Sequence, residues 1–210
     1  MAVARSEIPY HSQYASPELI AEVAAGRCSP ADDPRWSESG AASRDEYARW
    51  ARSGCGMACL QMILAARGED VPPIAVLGRD CIRYGGYEER PARGYGPLHY
   101  AGFVDFVAAE LGLAARVAAP LALDALTDAV AGDEVVLASV SVEIRDRAAA
   151  PTRRGGHLVL VIDADDSGRR LRFHDPSGDH ERNARGVWLD ISEFERFYAQ
   201  RGIAVTLPRG

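Results

Sequence analysis

The sequence predicts an α+β fold, helices first and an antiparallel sheet second, from three observations. Residues 55–66 carry no charge and place apolar side chains all round, the mark of a buried central helix. After Gly132-Asp133 the texture becomes strand-like, over residues 134–142, 157–164, 170–174, 187–189 and 203–207. Between two of these runs, Asp165-Asp166-Ser167-Gly168 is turn chemistry, so the strands pair antiparallel.

The elements follow in order. Residues 8–14 read as a short extended opening strand on which His11 and Gln13, two apart, share a face. Residues 18–24 are helical, and residues 26–43 form a Pro-, Asp-, Ser- and Gly-rich loop with Trp36 as its buried anchor. Ser43-Arg-Asp-Glu46 is a capping-box start that leads residues 47–52 into the central helix, which Arg67-Gly68 ends. A short helix is expected over 74–80, and amphipathic ones over 103–111 and 123–130. Between them, residues 84–100 hold four glycines and four tyrosines, Tyr95 among them, with Glu88, Glu89, Arg90 and Arg93 interspersed. Two readings stand side by side: a long surface connection, or a mobile aromatic loop that touches substrate. A last helix is expected over 192–200.

With 210 residues, 47% of them hydrophobic, the chain suits one domain: residues 1–52 as opening strand and insertion, 53–132 as helical half, 133–210 as sheet half. A net charge of −6 with no basic run beyond two residues argues against nucleic acid and anionic membranes as partners. All 24 basic residues are arginine, which excludes Schiff-base chemistry, Walker-type phosphate binding and pyridoxal phosphate attachment. No apolar targeting core or spanning run is present, so a soluble, cytoplasmic protein is expected. Cys28, Cys55, Cys59 and Cys81 lack zinc spacing and are expected as free thiols, with no metal and no cofactor.

The chemistry is expected at Cys55. It sits between Gly54 and Gly56 at a helix start, where free N–H groups and the positive dipole end stabilise a thiolate. The flanking glycines would let a substrate carbonyl approach the backbone. A hundred residues on, Gly155-Gly156-His157 opens a strand, with space beside the ring for substrate. With a three-residue turn at 165–167, His157 falls directly opposite Asp175, whose carboxylate can orient an imidazole. Together these favour cysteine-nucleophile catalysis.

Ser-Gly-Cys55-Gly-Met-Ala-Cys-Leu-Gln-Met-Ile-Leu, Gly-Gly-His157-Leu-Val-Leu-Val and Phe-His-Asp175-Pro-Ser-Gly resemble the C39-like branch of the papain-like cysteine peptidases. The opening Ile-Pro-Tyr-His-Ser-Gln13 and the closing segment from Glu193 are similar too. The resemblance implies Cys55 as nucleophile, His157 as base then acid, Asp175 as orienting residue, and an upstream glutamine on the oxyanion. Bacteriocin-processing members carry that glutamine shortly before the cysteine, where this chain has Arg49 and Trp50. Of its three glutamines, 13, 61 and 200, Gln13 is the remaining candidate, with His11 beside it. The expected activity is cleavage of a peptide or amide bond through a thioester. The alternatives are acyl transfer to an amine and a silent peptide-binding module.

Overall fold

The computed structural model describes residues 4–90, 94–147 and 150–208; Arg93 lies outside the described residues. In chain order the elements are Ile20–Ala24 (α1), Arg44–Ser53 (α2), Cys55–Ala66 (α3), Ile74–Arg83 (α4) and a small hairpin, Glu89–Arg90 (β1) with Gly94–Tyr95 (β2). Then come Tyr100–Leu111 (α5), Ala115–Ala118 (β3), Leu123–Ala131 (α6), Glu134–Val140 (β4), His157–Ala164 (β5) and Arg170–His174 (β6). Glu181–Ala184 (α7), Val187–Asp190 (β7), Ile191–Phe197 (α8) and Tyr198–Thr206 (β8) complete them. The fold is mixed α+β. Its main sheet has the order β3-β8-β4-β5-β6-β7, antiparallel throughout.

Strand alternation splits the core between the two sheet faces. Leu158, Leu160 and Ile162 of β5 join Leu137, Ile203 and Val205 against Met57, Leu60 and Leu64 of α3. Val159 and Val161 join Val136, Phe173, Phe194 and Phe197 on the side of α6 and α8. Each such side chain contributes roughly 1.5–3 kcal/mol by leaving water, which is what fixes α3 against the middle of the sheet.

Several expectations change. Residues 8–14 form no strand; Pro9 has no N–H, and the segment is fastened by Gln13 N–H to the Pro176 carbonyl at 2.8 Å. The buried anchor of the following loop is Asp33 rather than Trp36, which is half-buried under Arg44. Asp33 accepts from Ser16 N–H (3.0 Å), Ser16 Oγ (2.6 Å) and the Tyr47 hydroxyl. The last helix stops at Phe197, and Gln200 lies in β8 with φ +50°. The edge strand β3 carries no apolar–polar alternation in the sequence, because most of it is exposed.

Candidate active site

Cys55 stands at the joint between two helices. The ladder of α2 ends with Gly54 N–H on the Trp50 carbonyl (2.7 Å) and resumes with Ala58 N–H on the Gly54 carbonyl (2.9 Å). The N–H groups of Cys55, Gly56 and Met57 therefore begin a new helix. The Ala51 carbonyl, which an unbroken helix would offer to Cys55, accepts instead from Gln13 Nε2 at 2.7 Å. Gly54 and Gly56 are both buried, and packing explains both better than a substrate approach does. A Cβ on Gly54 would lie 2.7 Å from the Trp50 carbonyl oxygen, and one on Gly56 2.6 Å from Leu98 Cδ2.

His157 and Asp175 meet, by a register different from the expected one. The Asp165 carboxylate accepts from Arg169 N–H (2.8 Å) and Arg170 N–H (3.0 Å), widening the turn so that Ala164 pairs with Leu171. A bulge between Val161 and Asp163 then brings Leu160 opposite His174. Continued one pair, this puts Asp175 opposite Val159, so His157 is its diagonal neighbour. The offset from the expected pairing is even, and an even offset keeps the side-chain face. His157 Nε2 lies 2.7 Å from Asp175 Oδ1. The remaining ring nitrogen is left for the hydrogen bond with Cys55.

The electrostatics follow from this chain of contacts. Burial pushes the Cys55 thiol up, but the hydrogen bond and charge of His157, with N–H groups of Leu158 and Gly56, outweigh it and hold the thiol below its ordinary value. Burial pushes His157 down, and the Asp175 charge and hydrogen bond together with Cys55 override that, raising it to about 9. Asp175, fully buried, is pushed up by burial and down further by His157 and Arg145, ending below the usual carboxylate range. The other buried cysteines go the opposite way. Burial drives Cys59 well up and Cys81 to about 12.

Two residues that the sequence did not single out complete the aspartate's surroundings. Arg145 Nε is 3.7 Å from Asp175 Oδ2, and Arg145 also donates to the Ser177 hydroxyl. Ser177 gives its N–H (2.9 Å) and hydroxyl (3.1 Å) to Asp175 Oδ1. Ser177 had a local signal, since an aspartate commonly accepts the N–H two residues on. Arg145 had none; the 3-10 turn after β4 delivers it from a distant part of the chain.

A cleft of about 630 Å³ opens over Cys55 and His157. Tyr95 and Gly156 line it, but among the described lining residues neither Gln13 nor His11 is found. His11 is half-buried, and burial lowers its pKa. Gly155 and Gly156 adopt φ +84° and +97°, the left-handed region, and the room beside them is taken by the guanidiniums of Arg201 and Arg153. The described part of the tyrosine-rich segment is packed against the site. Tyr95 stacks on Trp50 at 3.8 Å, Tyr87 donates to the Ser53 carbonyl at 3.2 Å, and residues 96–100 form one wall of the cleft.

A crystal structure from Bacillus anthracis, of a protein provisionally named a C39-like peptidase, superposes on the whole chain. The TM-score is 0.55 at 15% identity, with 100% of each chain covered. That likeness is one of fold. No protein-family model and no curated protein sequence matches the chain. Among the described residues, no helix is long and apolar enough to cross a membrane.

Proposed function

We propose that this protein is a cysteine-dependent peptidase or amide hydrolase of papain-like, C39-like type, working through a thioester on Cys55. One observation carries the reading: a hydrogen-bonded run from Cys55 through His157 to Asp175, beside a cleft, in which the thiol is lowered and the imidazole raised. Opposed shifts of that kind create a thiolate next to an acid, the pair acyl transfer needs.

The steps follow from the contacts. The Cys55 thiolate attacks the substrate carbonyl carbon, and the C=O electron pair moves onto oxygen. The Cys55 N–H, freed at the helix joint, donates to that oxyanion. On collapse the C–N bond breaks, and the His157 proton passes to the leaving amine. Water then attacks the thioester, giving its proton to His157 and returning Cys55 as thiolate. Gln13 acts by holding the Ala51 carbonyl so that the Cys55 N–H stays free. Asp175 keeps the ring oriented and charged, and Arg145 and Ser177 hold Asp175.

Intact-mass analysis of a peptide library incubated with the protein, with and without added amines, tests the activity. Hydrolysis products are expected, lost on the order of 10³-fold or more in Cys55→Ser and His157→Ala, because nucleophile and base act as one unit. Amine adducts in place of acids would make it an acyltransferase. Near-wild-type turnover by His157→Ala would end the assignment.

A further inference from the structure

The cleft over Cys55 is cationic in a protein whose net charge is −6. Arg52, Arg153 and Arg201 line it, and no aspartate or glutamate is among its described lining residues. All three arginines are exposed, and among the described residues none stands within ion-pair distance of a carboxylate. Other arginines of this chain do have such partners; Arg27, Arg79, Arg83 and Arg116 are examples.

The placement is local as well as charged. Arg201 Nη2 stands 3.1 Å from where a Cβ on Gly155 would be, and the Arg153 guanidinium 3.4 Å from the corresponding point on Gly156. Two guanidiniums thus converge on the consecutive glycines that lead into His157. Arg52, in the last turn of α2 and three residues before Cys55, lines the same cleft. Glu143 feels the charge of Arg153 from outside the lining; within the lining the three guanidiniums meet no carboxylate, so the arrangement favours an anion in the cleft. Planar guanidiniums pair with carboxylates in a bidentate geometry, which fixes orientation as well as charge.

We infer that the substrate is acidic: a peptide bearing aspartate or glutamate beside the scissile bond, whose carboxylate is held by Arg153 and Arg201 next to His157, with Arg52 adding to the positive charge of the cleft. This rests on the proposed thiolate chemistry at Cys55 and adds the substrate class to it.

The test compares two alkylating reagents on the intact protein. Iodoacetate and iodoacetamide react alike, the thiolate sulfur displacing iodide as the S–C bond forms, but only iodoacetate brings a carboxylate. The measured quantity is the ratio of their Cys55 labelling rates, set against the same ratio for an unstructured cysteine peptide. The ratio is expected about tenfold above the peptide's at low salt, to fall as salt rises, and to drop toward the peptide's in Arg153→Gln/Arg201→Gln. In the peptide library, cleaved bonds should be flanked by aspartate or glutamate. If iodoacetamide labels Cys55 at mildly acidic pH but the ratio equals the peptide's, the acidic-substrate inference falls and the nucleophile stands. A ratio unmoved by the double substitution also overturns it. If iodoacetamide shows no preference for Cys55, the proposed chemistry itself has failed.

Discussion

Asp175→Asn is the perturbation that tests the electrostatics of the site most directly. The carboxylate is fully buried and bonded to His157 Nε2 at 2.7 Å, and its charge is the largest influence raising that imidazole. Raising His157 from 6.5 to about 9 favours the imidazolium by roughly 3 kcal/mol, net of the burial that opposes it. The wild-type protein should hold a thiolate–imidazolium pair from the lowered pKa of the Cys55 thiol up to about 9, titrating as a coupled unit. Cys55 alkylation should rise at the lower limb and reach a plateau. It should rise again near 9, when the ring loses its proton and the thiolate is freed. Turnover should instead fall there, because the acid that protonates the leaving amine is gone. In Asp175→Asn the upper limb should move down toward the ordinary histidine value and the lower limb up, narrowing the plateau. Each tenfold loss of thiolate at neutral pH corresponds to about 1.4 kcal/mol of lost pairing. Turnover should fall less than in Cys55→Ser, since an amide can still orient the ring. The measurement is the alkylation rate at Cys55 against pH, by mass spectrometry, for both proteins. A single wild-type step near 8.5, the ordinary thiol value, would show that no ion pair exists. An upper limb that stays at about 9 in the variant would show that Asp175 is not its cause.

Gln13→Ala should lower kcat by about 10²-fold, with little change in KM, because the Ala51 carbonyl then competes for the Cys55 N–H; unchanged kcat refutes that role. His174 donates from Nε2 to the Ile8 carbonyl and accepts Gly186 N–H on Nδ1, and burial pushes its pKa down to about 4. The unfolded chain therefore binds the proton first, and stability present above pH 6.5 is lost as pH falls toward 4, by roughly 3 kcal/mol. Denaturant titrations of His174→Gln should show a flatter acid limb, and an unchanged slope would contradict this. Gly78→Ala would put a Cβ 2.2 Å from the Trp50 ring, and a loss of about 1–3 kcal/mol on unfolding is expected. A melting curve equal to wild type would mean that Trp50 yields freely.

The bounds of α3, β5 and β6 were legible to the residue, because each is a long apolar or alternating run closed by turn chemistry. The residue types of the site were legible for a related reason: a cysteine at a helix start and a histidine at a strand start are local patterns. The way His157 reaches Asp175 was not legible. The turn widened by Asp165 and the bulge near Ile162 each shift the pairing, and only together do they return Asp175 to the right face. Nothing local in the sequence marks a bulge inside an apolar strand.

What the sequence determined by itself is the order of helices and strands, the buried helix behind Cys55, and the exclusion of lysine chemistry. Tertiary structure alone decided how the surrounding groups are used. Gln13, far upstream in the chain, occupies the Ala51 carbonyl, Arg145 closes on Asp175 from the turn after β4, and Tyr95 is spent stacking on Trp50. Three separate arginines become one cationic cleft. The division has a physical reason. Periodicity and caps are short-range and written in neighbouring residues, whereas hydrogen-bond partners and ion pairs are chosen among groups far apart in sequence, once packing has brought them within about 3–4 Å.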